Sequence, residues 1–208
     1  MAQTSLIYVG DPLCSWCYGF GPEIGALEAA CRERAGLRVI LGGLRPYTAQ
    51  PMDDALRRHL RQAWQSVEKV SGLPFNFGLL EREDFVYDTE PACRAVVTAR
   101  GMRLEAALPV FLAIQAAFYR DNRDPRLEDT LADAAVLAGL ERDEFLARFN
   151  SEHMKQATRQ DFAAARSLGI RGFPAVLLAR NGDLALIASG FTRAPRMQET
   201  LERILAAP

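Results

Sequence analysis

The chain opens on a short apolar run, Ser5-Leu6-Ile7-Tyr8-Val9, bounded by Gly10-Asp11-Pro12. An apolar, β-branched and aromatic run of this length between turn residues predicts a buried strand. From Cys17 to about Glu33, Leu27, Ala30 and Cys31 fall on one face at helical spacing, and Gly36 is placed to close that helix. Leu37-Arg38-Val39-Ile40-Leu41, ended by Gly42-Gly43, reads as a second strand. A strand–helix–strand unit of this kind pairs its strands in parallel through a right-handed crossover.

The middle of the chain carries a different period. Asp53 to Val70 reads as a helix broken by Gly72-Leu73-Pro74, with Phe75-Asn76-Phe77-Gly78 as loop. Asp88 or Thr89 stands as an N-cap, with Pro91 just inside a helix that reaches about Arg100. Leu104 to Tyr119 is again helical, with Pro109 as a candidate true start, and Asp121 to Pro125 is loop. Further helices are predicted at Leu127–Ala138, Arg142–Asn150 and Ser151–Leu168. A block this long is no ordinary connection, so it reads as an inserted helical subdomain.

The tail returns to strands. Ala175–Ala179 and Leu184–Ala188 flank Asn181-Gly182-Asp183, and Asn-Gly between apolar runs signals a hairpin. A last helix runs from about Pro195 to Leu205. The order βαβ, helical block, ββα implies an α/β fold with a mixed sheet and helices on both faces.

Composition narrows the function classes. Of 208 residues, 49% are apolar and 25% charged, which excludes a disordered or collagen-like chain. Lysines and arginines (25) balance aspartates and glutamates (26), so no basic field points to nucleic acid or an anionic membrane. The short run Arg57-Arg58-His59-Leu60-Arg61 reads as a solvated helix face, as does His153 beside Glu152. The most apolar stretch, Ala106 to Phe118, is too short to span a bilayer. The N-terminus shows no basic residue and no cleavage-like segment, which leads to the expectation of a cytoplasmic protein.

Four cysteines in a chain of this length do not staple a scaffold, so any cysteine chemistry is catalytic, metal-binding or absent. Cys14-Ser15-Trp16-Cys17 lies between the first strand and the first helix. There Cys14 meets the unpaired N–H groups and positive dipole end of the helix, which favour an anion. Such cysteines have thiol pKa values of roughly 3.5–7.5 instead of ~8.5. Cys17, nearly one turn further on, is close enough for an intramolecular disulfide, so the pair can attack, form a mixed disulfide and resolve it. A zinc site wants four ligands. The remaining candidates, Cys31, Cys93, His59 and His153, are singly placed, and Cys31 lies roughly 21 Å beyond Cys17 along the helix. No metal is expected, and Cys31 and Cys93 read as small buried core residues.

Two prolines fit the same picture: Pro22 inside the first helix, and Pro174 at the head of the third strand within Gly169-Ile170-Arg171-Gly172-Phe173-Pro174. Together with Asp11-Pro12-Leu13-Cys14-Ser15-Trp16-Cys17-Tyr18-Gly19-Phe20-Gly21-Pro22 and the element order, this segment resembles the DsbA family of thioredoxin-fold proteins. The likeness is greatest to a cytoplasmic, FrnE-like branch of predicted disulfide isomerases. The resemblance implies a thioredoxin-like domain at 1–45 and 165–208 around an inserted helical subdomain at 46–164. It implies a thiol–disulfide oxidoreductase or isomerase acting on protein or peptide disulfides, with Cys14 as nucleophile and Cys17 as resolving thiol. Pro174 would be the family's cis-proline, and Ser15, Trp16, Gly172, Phe173 and Pro174 would bind an extended substrate segment. No tightly bound cofactor is implied; glutathione enters as a redox partner. Many thioredoxin-like relatives bury a carboxylate in the strand before the motif, and Ser5–Val9 has none.

Alternative readings remain. Trp16 reads as a surface contact on an exposed turn, while Tyr18, Phe20, Phe75 and Phe77 read equally as collar or core. The layout also resembles glutathione-dependent kappa-class transferases and hydroxychromene-carboxylate isomerases, which generally lack the paired cysteines. A redox-gated client-binding or chaperone module without turnover is the third alternative.

Overall fold

In the computed structural model of the protein, residues 4–206 are described. Met1–Gln3, where the stretch read as free of a leader begins, lie outside the described residues. Strand β1 (Thr4–Gly10) is central; β2 (Gly36–Leu41) pairs parallel to it on one side, with Tyr8 opposite Val39. On its other side β3 (Ala175–Arg180) runs antiparallel, followed by antiparallel β4 (Asp183–Ser189), giving the order β2-β1-β3-β4. Asn181 and Gly182 close the β3–β4 hairpin with φ of 56° and 92°, the paired positive values that a two-residue Asn-Gly turn supplies.

Alternation along β1 splits the core between the two faces of the sheet. Leu6 and Tyr8, with Val39, Leu41, Val176 and Leu178, face Phe20, Ile24 and Leu27 of α1 (Ser15–Cys31) and Met197 and Leu201 of α9 (Ala194–Ala206). Ile7 and Val9, with Ile40, Ala175 and Leu177, face Ala165 of α8 (Glu152–Ser167). The mixed sheet with helices on both faces is therefore present. Between β2 and β3 also stand α2 (Asp54–Ser71), α3 (Gly78–Glu81), α4 (Glu90–Met102), α5 (Ala107–Gln115), α6 (Glu128–Leu137) and α7 (Arg142–Phe149). α4 and α8 are tied to β2 through Arg100 and Asp161. Arg100 donates to both carboxylate oxygens (2.7 and 2.8 Å), while Asp161 also accepts from the Leu41 N–H at 3.0 Å.

Several boundaries differ from the pattern. α1 ends at Cys31, and Gly36 opens β2 instead of closing the helix. The Cys31 carbonyl already accepts from the N–H groups of Arg34 and Ala35, so no left-handed glycine is needed. Gly78 starts the short α3. Pro109 is not the start of a helix: a 3₁₀ turn at Leu104–Ala106 leads into α5, and Pro109 sits in its first turn, where a missing N–H costs nothing. A π turn, Ala116–Arg120, then replaces the end of the continuous helix that periodicity suggests. Thr89 is the N-cap of α4, but Asp88 supplies the capping oxygen, accepting from the Glu90 N–H at 3.0 Å.

Candidate active site

Strand β1 delivers the chain to the edge of the sheet, and Asp11-Pro12-Leu13 turns it into α1. Cys14 is the N-cap, with extended backbone (φ −83°, ψ 116°), and its carbonyl accepts the Tyr18 N–H at 3.0 Å. No side chain caps the helix, so its first-turn N–H groups point toward Cys14 without a competing side-chain acceptor. Cys17 lies one turn in, and both cysteines are free thiols. Cys14 keeps 7% of its surface and Cys17 none, so Cys14 is the sulfur a reagent meets first. Burial, then the neighbouring Cys14, pushes the Cys17 thiol well above its ordinary range.

The second motif reaches the same place from β3. The Phe173–Pro174 peptide bond is cis, and the Cys14 thiol donates to the Phe173 carbonyl at 3.8 Å. Gly172 is exposed, Phe173 half-buried and Pro174 buried. The Phe173 ring lies over Gly42, where a Cβ would stand 1.9 Å from the ring. Ser15 is half-buried. Trp16 is not on an exposed turn: it sits in the first turn of α1, half-buried beside Phe191, with ring centroids 6.3 Å apart. Tyr18 is core, stacked on Tyr119 at 4.7 Å, and Phe20 packs beside Tyr8. Phe75 is buried and Phe77 half-buried, both against Trp64. His59 and His153 are exposed. Arg57 is not simply solvated, since it donates to the carbonyls of Leu80, Arg82 and Glu83.

Under the motif lies a polar layer that pattern reading missed. Asp11 is fully buried and accepts from the N–H groups of Leu13 (2.9 Å) and Leu44 (2.6 Å) and from the Cys93 thiol (3.3 Å). Burial raises its carboxyl pKa, and these donors oppose the rise. Cys93, read as a core filler, is thus a buried donor to that carboxylate. A buried carboxylate does stand next to the motif, placed just after β1 and not within it, with its backbone N–H and not its carboxylate directed at Cys17. The signal was present: one acid three residues before the first cysteine, between apolar neighbours. The hydroxyls of Tyr87 and Tyr119 both donate to the carbonyl of Leu13, the residue before Cys14, the second at 2.6 Å. Beside Tyr87, a cavity of about 480 Å³ is bounded by Arg45, Gln50, Met52 and His59 among others.

Comparison with known families follows the same outline. The model of the DsbA-like thioredoxin domain matches residues 6–202. This chain belongs to the DsbA-like thioredoxin family. A proposed protein disulfide isomerase from Nitrosomonas europaea is 34% identical, with 98% of each chain covered and a TM-score of 0.91. The cytosolic disulfide reductase DsbM from Pseudomonas aeruginosa is 27% identical, with 97% of this chain and 98% of that chain covered and a TM-score of 0.77. A protein named tRNA dimethylallyltransferase from Syntrophomonas wolfei is 29% identical over 154 residues, covering 69% of this chain and 47% of that protein. The chain spans about half the length of the curated relatives it matches. The thiol pair at the start of α1 is a DsbA-like arrangement, set in a thioredoxin-like sheet with a helical insertion.

Proposed function

We propose that this DsbA-like chain is a cytosolic thiol–disulfide oxidoreductase or isomerase acting on protein or peptide disulfides, with glutathione as a small redox partner. The observation that carries the reading is two free thiols one turn apart at an uncapped helix start, the first more exposed than the second. In this reading the Cys14 thiolate attacks a substrate disulfide and forms a mixed disulfide, releasing one substrate thiol. Cys17 then attacks the Cys14 sulfur, and the second substrate thiol leaves. Ser15, Trp16, Gly172, Phe173 and Pro174 bind the substrate, an extended segment pairing with the Phe173 backbone as at an open strand edge.

The relative named a cytosolic disulfide reductase supports the compartment and the reductive direction, and its structure with GSH supports glutathione as partner. The cavity beside Tyr87 offers the Arg45 side chain to a carboxylate of that tripeptide. Direction follows from the reduction potential against the surrounding poise, where about 30 mV corresponds to roughly 1.4 kcal/mol.

Insulin reduction by wild type and by Cys14→Ala tests the reading. Turnover lost in the variant supports it; equal turnover, or client binding without turnover in either protein, sinks it. Equilibration of the Cys14–Cys17 couple with glutathione buffers then gives its potential, and a pair that forms no disulfide at any poise would also remove the reading.

A further inference from the structure

The hydroxyl of Tyr8 is a buried polar atom to which the exchange chemistry above gives no task. Tyr8 is fully buried on β1, and among the described residues its hydroxyl has no partner at ordinary hydrogen-bond geometry; the side chain it is directed at is Cys17. Buried polar atoms are nearly always paired, so an orphan beside a reactive group requires a reason. Its ring is fixed edge-on against Phe111 (centroids 5.3 Å apart) and tilted against Phe20 (5.9 Å). Its tip faces Cys17, and both atoms border the space that Gly10 leaves open: a Cβ there would stand 2.8 Å from the Tyr8 hydroxyl and 3.2 Å from the Cys17 sulfur. A side chain at Gly10 would fill that space and displace one or both groups.

We propose that the Tyr8 hydroxyl is a catalytic donor, hydrogen-bonding the Cys17 sulfur as its thiolate forms during resolution of the mixed disulfide on Cys14. The proposal rests on the reading of Cys17 as the resolving thiol. In that step Cys17 gives up its proton and its sulfur bonds to the Cys14 sulfur. The bond from Cys14 to the substrate sulfur breaks, and the departing thiolate takes up a proton. The dithiol is oxidised by two electrons and the substrate disulfide reduced by two. A buried thiol resists ionisation, and burial keeps the Tyr8 phenol protonated as a donor far above neutral pH. The other groups facing Cys17 are Cys14, from the same helix, and the backbone N–H of Asp11. Tyr8 adds a donor from β1, where the sheet meets the pair.

The test is a single-turnover reaction of reduced full-length protein with oxidised glutathione, following release of the first and second glutathione thiols across pH. Tyr8→Phe keeps the ring and removes only the hydroxyl. It is expected to leave the first release at the wild-type rate and slow the second roughly tenfold or more, since a hydrogen bond to a charged group is the interaction lost. The plateau of the second step should move to higher pH. Wild-type resolution in Tyr8→Phe, with an unmoved profile, overturns the proposal. So does equal slowing of both steps, which would mark a structural role. If wild-type protein itself releases only one thiol, matching Cys17→Ser, the reading of Cys17 fails first and takes this proposal with it.

Discussion

At the scale of single residues, close approaches around the pair set what each position tolerates. The Phe173 ring fills the space where a Cβ on Gly42 would be, and the Phe173 carbonyl faces the Cys14 sulfur. Gly42→Ala must push that ring and its backbone away from the pair. We expect about 1–3 kcal/mol lost in stability from overpacking and a fall in disulfide turnover larger than the stability loss explains, measured by chemical denaturation and insulin reduction on the same preparation. A small stability loss with unchanged turnover would show that Phe173 can shift without consequence. Asp11 makes a prediction of a different kind. Burial raises its carboxyl pKa, so between the ordinary value near 4 and the raised one the folded chain holds a proton that the unfolded chain has released. The stability this gives is complete below the ordinary value and is lost as pH rises toward the folded one. The unfolding free energy of wild type relative to Asp11→Asn should therefore be constant in acid and move against wild type as pH rises above about 4. A difference flat across that range would contradict the assignment.

At the scale of elements, the sequence pattern was sufficient where one residue type forced the outcome and insufficient where tertiary partners chose. Asn181-Gly182 dictated the hairpin, and the unbroken apolar run Leu6–Val9, closed by Gly10-Asp11-Pro12, dictated a strand buried on both faces. The helix at Ala107–Gln115 followed the expected period, but nothing in that period marks the π turn at Ala116–Arg120. The wider turn brings Tyr119 inward, stacked on Tyr18, with its hydroxyl on the Leu13 carbonyl and its own carbonyl accepting the Asn76 N–H at 2.6 Å. Tyr87, from the segment before α4, reaches the same Leu13 carbonyl. Two elements of the insertion thus hold the residue before Cys14. Because either hydroxyl alone still satisfies that buried oxygen, Tyr87→Phe and Tyr119→Phe should each cost about 1 kcal/mol. The double variant should cost more than their sum, since the carbonyl then has neither donor. A double-mutant cycle by urea denaturation reads this directly; strict additivity would mean the hydroxyls do not share a task.

At the scale of the whole molecule, the α/β order and the thiol pair were legible because both are local: short apolar runs between turn residues, a period of 3.6, and a four-residue motif at a strand–helix junction. The layer around the pair was legible only in part: Tyr8 and Asp11 lie within six residues of Cys14, but Cys93, Tyr87 and Tyr119 come to them only through the packing of the insertion on the sheet. That packing has a thermodynamic consequence. Leu6 and Tyr8 of the sheet, Cys14 and Cys17 of the pair, Trp64 of α2, Phe118 of the π turn, Phe145 of α7 and Met197 of α9 all belong to one buried apolar cluster. A helical block with its own separate core could melt by itself; one sharing its core with the sheet loses its apolar contacts when the sheet opens. We therefore expect a single unfolding transition in which Trp64 fluorescence, isolated in a Trp16→Phe background, coincides with the far-ultraviolet circular dichroism of the whole chain. Exposure of the Cys14 thiol to an alkylating reagent should follow the same curve, because the carbonyl of Leu13 is held by tyrosines from the block. If Trp64 became exposed at a lower denaturant concentration than the loss of circular dichroism, the insertion would be a separate cooperative unit, and the coupling of the thiol pair to it would have to be abandoned.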